Sequence, residues 1–507
     1  MSASLTDDHR LPGRVAALDG TAPETPVIEF RDGWTAWGDL VKTGAAVEAE
    51  LVRLGLGRGG RVGVVLENRP ESVAVLRLIL SSERCLTSFN PLQPPERLCA
   101  DVLRTAAPVV FASSEVWTRP GFAEAVASAG GLGFGLDGAT VTPVDLPHSP
   151  EPGTPRVEAP GVAVELTTSG TTGTPKRIPL TYRQIESALG SAAGHMAAGR
   201  SERAPFTGGI GLLTTPMVHI GGLWAALQVL VQARRLSMLE RFTVDGWRDM
   251  VRRHRPKVAG LPPTAIRAVL DADVPPEDLA SLVALNAGAA PLRPELADAF
   301  QERYGIAILI VYGATEFSGG VAGWSLRDHR TWWKEKRGSV GRAFPGVELR
   351  VVGDDGSPLA TGEQGVLEIR TPQAGGEGGW TRTSDLARID ADGFVFLVGR
   401  ADDTIIRGGF KIRPATVVEV LERHPAVAEA AVAPLPDARL GQVPVAAFET
   451  ARGMEPPAEE DLRAWCRRGL MPYEVPTRFL PVEALPRGIS QKVDRAGLLA
   501  LFHPDEP

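Results

Sequence analysis

The segment of greatest chemical content runs from Leu166 to Lys176 and reads Leu-Thr-Thr-Ser-Gly-Thr-Thr-Gly-Thr-Pro-Lys. Gly170 and Gly173 carry no side chain, so backbone N–H groups there can approach phosphate oxygens closely. The hydroxyls of Thr168, Ser169, Thr171 and Thr172 add donors, and the ammonium of Lys176 adds a compact positive charge. The pattern differs from the GxxxxGK[ST] loop because Pro175 precedes the lysine and Arg177 follows it. Its place directly after the apolar run Val162-Ala-Val-Glu-Leu166 predicts a loop mounted on the end of a buried strand.

Such a loop needs a sheet behind it. Arg61-Val-Gly-Val-Val-Leu66 reads as a short buried strand and Glu71 to Leu80 as the helix after it; Val109 to Ala112 and Val162 to Leu166 are further strands. Alternation of this kind predicts an α/β fold, a large N-terminal domain of parallel or mixed sheets flanked by helices. Pro- and Gly-rich stretches around 142–161 and 371–380 read as surface connections. The last hundred residues predict a smaller α+β unit: strand Gly393 to Val398 after an Asp392-Gly393 turn, helix Val417 to His424, strand Val427 to Pro434, helix Glu459 to Gly469. The boundary falls in the polar stretch Gly399-Arg-Ala-Asp-Asp403. This gives an N-terminal domain over 1–399, a connection at 400–402 and a C-terminal domain over 403–507.

Composition bounds the partners. The 507 residues carry 54 basic and 61 acidic side chains, a net charge of −7, which argues against nucleic acid as the ligand. Three cysteines, Cys85, Cys99 and Cys466, show no metal-ligand spacing and read as reduced thiols. Met1 to Gly13 lacks the apolar stretch of a signal peptide, and no run is long and apolar enough to span a membrane, so a cytoplasmic protein is expected.

The 166–176 segment resembles the signature loop of the adenylate-forming superfamily, which includes acyl- and aryl-CoA synthetases, luciferases and the adenylation domains of peptide synthetases. Further segments similar to family motifs follow in order. Ala287-Gly-Ala-Ala-Pro-Leu292 is similar to the small-residue element beside the adenine and acyl pockets, which assigns Gly288, Ala289 and Ala290 to the nucleotide. Val311-Tyr-Gly-Ala-Thr-Glu316 matches the YGxTE element. The resemblance implies that Tyr312 stacks on adenine beside Gly313, Thr315 contacts the α-phosphate, and Glu316 helps to hold Mg²⁺. Thr383 to Arg388 supplies Asp385 for the ribose hydroxyls; Arg400 is expected to reach the ribose, and Asp402 aligns with the hinge of a mobile C-terminal domain. Pro486 to Arg495 resembles the element with the catalytic lysine, here Lys492, with Gln491 where the usual pattern has glycine. The resemblance covers roughly residues 25 to 500.

The implied chemistry uses ATP, Mg²⁺ and coenzyme A: a carboxylic acid becomes an acyl-adenylate, and a thiol then takes the acyl group. Lys492 lies between carboxylate and α-phosphate in the first step. For the second, the C-terminal domain turns about Asp402 and presents Gly408, Gly409 and Phe410 to the pantetheine tunnel. Pro216 to Trp224 aligns with the border of the acyl pocket, and His219 is expected there as a gate or wall. Met217, Val218, His219 and Ile220 offer no anion for a substrate ammonium, which argues against an amino acid. The pocket candidates Leu223, Trp224, Gly260, Leu261, Ala287 and Phe317 suit a fatty, aryl or bulky alicyclic acid. Trp332 and Trp333 form an unusual pair with no assigned role. The absence of an extra segment between the YGxTE and hinge motifs favours CoA over a carrier protein as acceptor. Carrier-protein loading is the rival reading, and a luciferase-like oxygenase shares the same motifs; a nucleotide-binding module without catalysis is a further alternative, against which the presence of both Lys492 and Glu316 speaks.

Overall fold

The computed structural model describes residues 10–31, 33–147, 158–168, 176–195, 204–374, 378–401, 403–488 and 492–502, with the side chains of Thr168 and Lys411 outside the description. The chain divides into two compact units. One takes in the described residues up to 168, from 176 to 347 and from 371 to 378; the other takes in 348–370 and those from 379 onward.

The first unit holds three sheets. The seven-stranded one runs, edge to edge, Thr140–Pro143, Leu132–Asp137, Val109–Ala112, Arg61–Val65, Cys85–Phe89, Val162–Thr168 and Lys176–Thr181. Its inner pairs are parallel, and the pair at each edge is antiparallel. Val62, Val64 and Val65 are buried, as are Leu86 and Phe89, because helices cover both faces of a parallel sheet. The helix Pro70–Ser81 starts on a proline, whose missing N–H costs nothing at that position, and is buried from Ser72 to Leu80. A helix apolar on all sides belongs in a core.

A second sheet runs Val258–Gly260, Ala284–Ala287, Ala307–Ala314, Gly319–Gly323 and Arg342–Ala343. Its first three strands are parallel. The 307–314 strand has two halves: Ala307 to Ile310 pair in parallel with 284–287, and Val311 to Ala314 pair antiparallel with 319–323. The third sheet joins Gly211–Leu213, Leu236–Met238, Pro26–Phe30 and Gly33–Ala36.

The second unit has an antiparallel sheet of Glu348–Val352, Gly365–Arg370, Thr381–Ile389 and Val395–Arg400. Its other sheet runs Phe410–Ile412, Ile405–Arg407, Gly441–Thr450 and Val427–Asp437, with Phe479–Val482 parallel to Gly441–Thr450. Alternation works on both faces: Ala430, Ala446 and Phe448 pack with Val417, Leu421 and Leu462, while Ala431, Val445 and Ala447 pack with Leu498 and Phe502.

The mixed α/β class and the α+β character of the C-terminal part match the sequence reading. Two details differ. The strand expected at 393–398 lies at Val395–Arg400, because Gly399 and Arg400 continue the ladder opposite Leu386 and Asp385; Gly393 instead makes the turn, with φ +80° and its N–H on Asp390 O. The 371–380 stretch is not wholly a surface connection: Thr371 and Gln373 are buried, and Pro372–Ala374 forms a 3₁₀ turn. Among the described residues no helix is long and apolar enough to cross a membrane. All three cysteines carry free thiols. Burial pushes Cys85 up to about 12, with Glu165 adding to it, and Cys466 up to about 11.

The residue after Lys176 is a structural anchor. Arg177 donates to Ser88 O at 2.9 Å, to both oxygens of Asp101 at 3.2 Å and to Thr105 Oγ1 at 3.0 Å. Asp101 is almost wholly buried, so removing Arg177 leaves a carboxylate with only the outer Arg104 to offset it. Arg177→Met is expected to destabilise the fold by about 3 kcal/mol, read as a lower midpoint in thermal or denaturant unfolding.

Candidate active site

Ligands of open α/β sheets bind at the carboxyl ends of the strands. Three adjacent parallel strands of the second sheet end at Gly260, Ala287 and, past its parallel half, Ala314. This brings Gly260, Leu261, Ala287, Gly288, Ala289, Ala290, Tyr312, Gly313, Thr315 and Glu316 to one edge of one sheet. Leu261 N donates to Asn286 O at 3.0 Å, tying the first strand's exit to the second. Ala289 is a non-glycine residue at φ +70°, a strained conformation of the kind found where chain path is set by a ligand site. A Cβ on Gly288 would stand 3.2 Å from Val311 O.

The turn after this strand is held with little freedom. Thr315–Phe317 forms a 3₁₀ turn, closed by Ser318 N on Thr315 O at 2.9 Å. Gly313 faces Gly320 across the ladder, and a Cβ on it would lie 2.0 Å from Gly319 O. Gly319 has φ +134°, and a Cβ there would meet Trp224 Nε1 at 2.4 Å. That indole nitrogen donates to Ser318 O at 2.8 Å, so Trp224 packs directly on the turn that carries Thr315 and Glu316. Leu223, Leu261, Ala287 and Phe317 are buried.

His219 stands in extended backbone as the N-cap of helix Ile220–Gln232, and its carbonyl accepts from Leu223 N at 2.9 Å. The first turn of a helix leaves N–H groups without helical partners, and Gly221 faces open space, so a carboxylate could be received there. Gly222 fits against Pro216 only because it lacks a Cβ, which would lie 2.2 Å from Pro216 O. The preceding segment is clamped by Asn68, a residue absent from the sequence reading. Its Nδ2 donates to Thr215 O at 3.3 Å and Leu239 O at 3.0 Å, and its Oδ1 accepts from Met217 N at 2.8 Å. The available signal was its position, a polar residue just past the carboxyl end of the buried strand Arg61–Val65.

Of the phosphate loop, Thr168 and Lys176 are paired residues of two antiparallel strands, and Lys176 is exposed. Ser169, Gly170, Thr171, Thr172 and Gly173 lie outside the described residues, as does Asp402. The Trp332–Trp333 pair splits. Trp333 is core, stacked on His329 at 4.8 Å and donating to Asp298 Oδ1 at 2.8 Å, while Trp332 lies under Lys336 and Arg342.

In the second unit Asp385 and Arg400 are cross-strand partners in the ladder. Arg400 donates to Ser384 Oγ at 2.5 Å, and Asp385 N donates to Thr383 Oγ1 at 3.0 Å. Gly408 and Gly409, at φ +55° and +88°, form a two-residue hairpin turn with Arg407 opposite Phe410. Phe410 is exposed and stacks on Tyr473 at 4.5 Å. Lys492 is exposed; its carbonyl accepts from Gly488 N at 2.8 Å, next to an isolated antiparallel bridge between Arg487 and Val493.

Among the described residues no group of three His, Cys, Asp or Glu could hold a metal alone. Mg²⁺ commonly takes one or two carboxylates and completes its shell with water and substrate phosphates. A single carboxylate on the Thr315–Phe317 turn fits a cation that arrives with a triphosphate.

A family model for AMP-binding enzymes matches residues 16–376, and one for the C-terminal domain of AMP-binding enzymes matches 417–492. The chain belongs to this adenylate-forming family of AMP-binding enzymes. Within it, the sulfoacetate–CoA ligase of Cupriavidus necator is 31% identical, the alignment covering 96% of this chain and 97% of that one. The 2-succinylbenzoate–CoA ligase of Bacillus velezensis is 28% identical over 93% and 94%. The solved o-succinylbenzoate CoA synthetase of Bacillus subtilis, in complex with its acyl-adenylate intermediate, shares the fold with a TM-score of 0.78 at 23% identity, over 97% of this chain and 98% of that one.

Gly313→Ala is expected to push the Gly319 carbonyl out of the ladder. Overpacking of this kind costs roughly 1–3 kcal/mol; the checks are a lower melting midpoint and loss of ATP-dependent pyrophosphate exchange beyond what the stability change accounts for.

Proposed function

We propose that this AMP-forming acid–CoA ligase activates an apolar acid with a single carboxylate, fatty, aryl or bulky alicyclic, and transfers it to coenzyme A. The observation that carries this reading is the convergence of Gly260, Ala287 and the Tyr312–Glu316 segment at one sheet edge, with uncharged side chains on the acid side. Leu223, Trp224, Gly260, Leu261, Ala287 and Phe317 bring no guanidinium or ammonium to the pocket. A second anionic group, as in the acids for which the sulfoacetate and succinylbenzoate ligases are named, would find no counter-charge among these six side chains.

In the first step a carboxylate oxygen bonds to the α-phosphorus and the bond to the bridging oxygen of pyrophosphate breaks. Both reactants are anions, so the residues are assigned to charge and position. Lys492 bridges carboxylate and α-phosphate, and Lys176 with the 168–173 hydroxyls and amides holds the outer phosphates. Tyr312 stacks on adenine, Thr315 contacts the α-phosphate, and Asp385 and Arg400 take the ribose hydroxyls. When bound on Glu316, Mg²⁺ supplies further neutralisation of the triphosphate. In the second step the CoA sulfur attacks the acyl carbon, AMP leaves, and the thiol proton passes to solvent. His219 borders the acid and the pantetheine, and Gly408, Gly409 and Phe410 border the thiol's path once the chain turns at Asp402.

Isotope exchange between ATP and pyrophosphate over a panel of aliphatic, aryl and polycyclic acids tests the reading, with CoA and a phosphopantetheinyl carrier protein compared as acceptors. Strongest exchange with a dianionic acid, or a carrier preferred over CoA, would reject the acid or acceptor assigned here. Lys492→Ala is expected to lower acyl-adenylate formation on the order of 100-fold while preformed acyl-adenylate is still converted by CoA. Equal loss in both half-reactions would remove Lys492 from its assigned place. Asp402→Pro, by fixing φ near −65°, is expected to slow thioester formation more than adenylation; an unimpaired second step would place the pivot elsewhere.

A further inference from the structure

The wholly buried carboxamide of Gln373 meets the turn that bears Thr315 and Glu316, and no sequence motif accounts for it. One end of the amide lies 3.2 Å from Phe317 O and 3.3 Å from Gly320 O. Carbonyls only accept, so that end is the NH₂ group, giving one hydrogen to each side of the turn. The amide oxygen faces Ser191 Oγ at 2.9 Å, on the helix Tyr182–His195; that hydroxyl also has Pro345 O within 3.0 Å. The main-chain carbonyl of Gln373 accepts from Gln184 Nε2 at 3.1 Å and from Ser318 Oγ at 3.4 Å.

Gln184 extends the connection. Its Oε1 accepts from Thr181 N at 2.9 Å and Thr181 Oγ1 at 2.8 Å, at the end of the strand that begins with Lys176. A single buried turn, Pro372–Ala374, therefore ties the 315–320 turn to the strand and helix that follow the phosphate loop. Phe317 O, Ser318 O and Gly320 O are each satisfied by a neutral side-chain donor, two by Gln373 and one by Trp224. Neutral donors fix the path of the turn without adding a charge to compete for Glu316.

We infer that Gln373 is a positioning residue for adenylation: it sets the Thr315–Glu316 turn against the 176–195 segment, and so sets where the Glu316 carboxylate meets Mg²⁺ and the triphosphate. The inference rests on the reading of Glu316 given above. It predicts a larger fault in the ATP-dependent half-reaction than in acyl transfer, because the triphosphate and its Mg²⁺ are used only in the first, whereas Thr315 and Phe317 on the same turn serve both.

The test is Gln373→Glu, which replaces two donors with acceptors facing two carbonyls, and Gln373→Met, which keeps length without a donor. Displacement of a reacting group by even an ångström can cost on the order of 100-fold. At least a tenfold fall in exchange kcat, roughly at the lower end of such effects, is expected in both variants, with a raised Mg²⁺ concentration for half-maximal exchange. Conversion of preformed acyl-adenylate by CoA should fall at least severalfold less than exchange does, on the order of twofold, since the Glu316 contribution to the triphosphate is lost only in the first step. Should Gln373→Glu fail to fold, Gln373→Met and the milder Ser191→Ala read the same two quantities. Unchanged kcat and Mg²⁺ dependence, or both half-reactions falling together with the melting midpoint, would overturn the positioning role alone. A wild-type protein with no exchange on any acid would overturn the parent reading and this one with it.

Discussion

Where parallel strands end, the chain turns away and its last carbonyls lose their neighbours in the ladder, yet they lie partly or wholly under helices and loops. Each such group needs a donor from elsewhere, since an unmatched buried carbonyl costs as much as a lost hydrogen bond. Around the Thr315–Gly320 turn and the 215–217 segment that need is met by side chains of no charge, whereas Ser88 O takes a donor from Arg177. Asn68 serves Thr215 and Leu239, Trp224 serves Ser318, Gln184 serves Gln373, and Gln373 serves Phe317 and Gly320. The turns that carry the residues proposed for nucleotide and acid are held by these matches.

The same economy explains the glycines. Gly313, Gly319, Gly222 and Gly341 lie where a methyl group would strike backbone or an indole at 2.0 to 2.4 Å. At the YGxTE element glycine is thus a packing requirement of the ladder as much as a concession to a ligand. At Gly408 and Gly409 the reason is different: both adopt positive φ in a hairpin turn, and Gly409 has nothing within 4 Å.

Much of this was legible in the chain itself. Val162 to Leu166, Val109 to Ala112 and Arg61 to Leu66 announce buried strands because a parallel sheet covered on both faces needs unbroken apolar runs, and short ordered motifs announce the family. Less visible were the contacts that depend on another segment's path. Arg400 reads as a polar boundary residue until Asp385 is found opposite it in the ladder. Gln373 sits in a Pro- and Gly-rich stretch of surface composition, and its burial is set by residues 55 and 182 positions earlier, Ser318 and Ser191. Asn68 is one polar residue among several after a strand; only the return of 215–217 to meet it gives it work. Local composition encodes burial of a whole element well, and burial of one side chain in a loop poorly.

The free cysteines bear on the chemistry in a way their burial alone would not suggest. An acyl-adenylate acylates thiolates readily and thiols slowly, so a protein that makes one is at risk from its own sulfur. With Cys85 held near 12 and Cys466 near 11, and Cys99 also displaced upward by burial, all three stay protonated at neutral pH. Burial thus lowers further the small thiolate fraction through which these sulfurs would react.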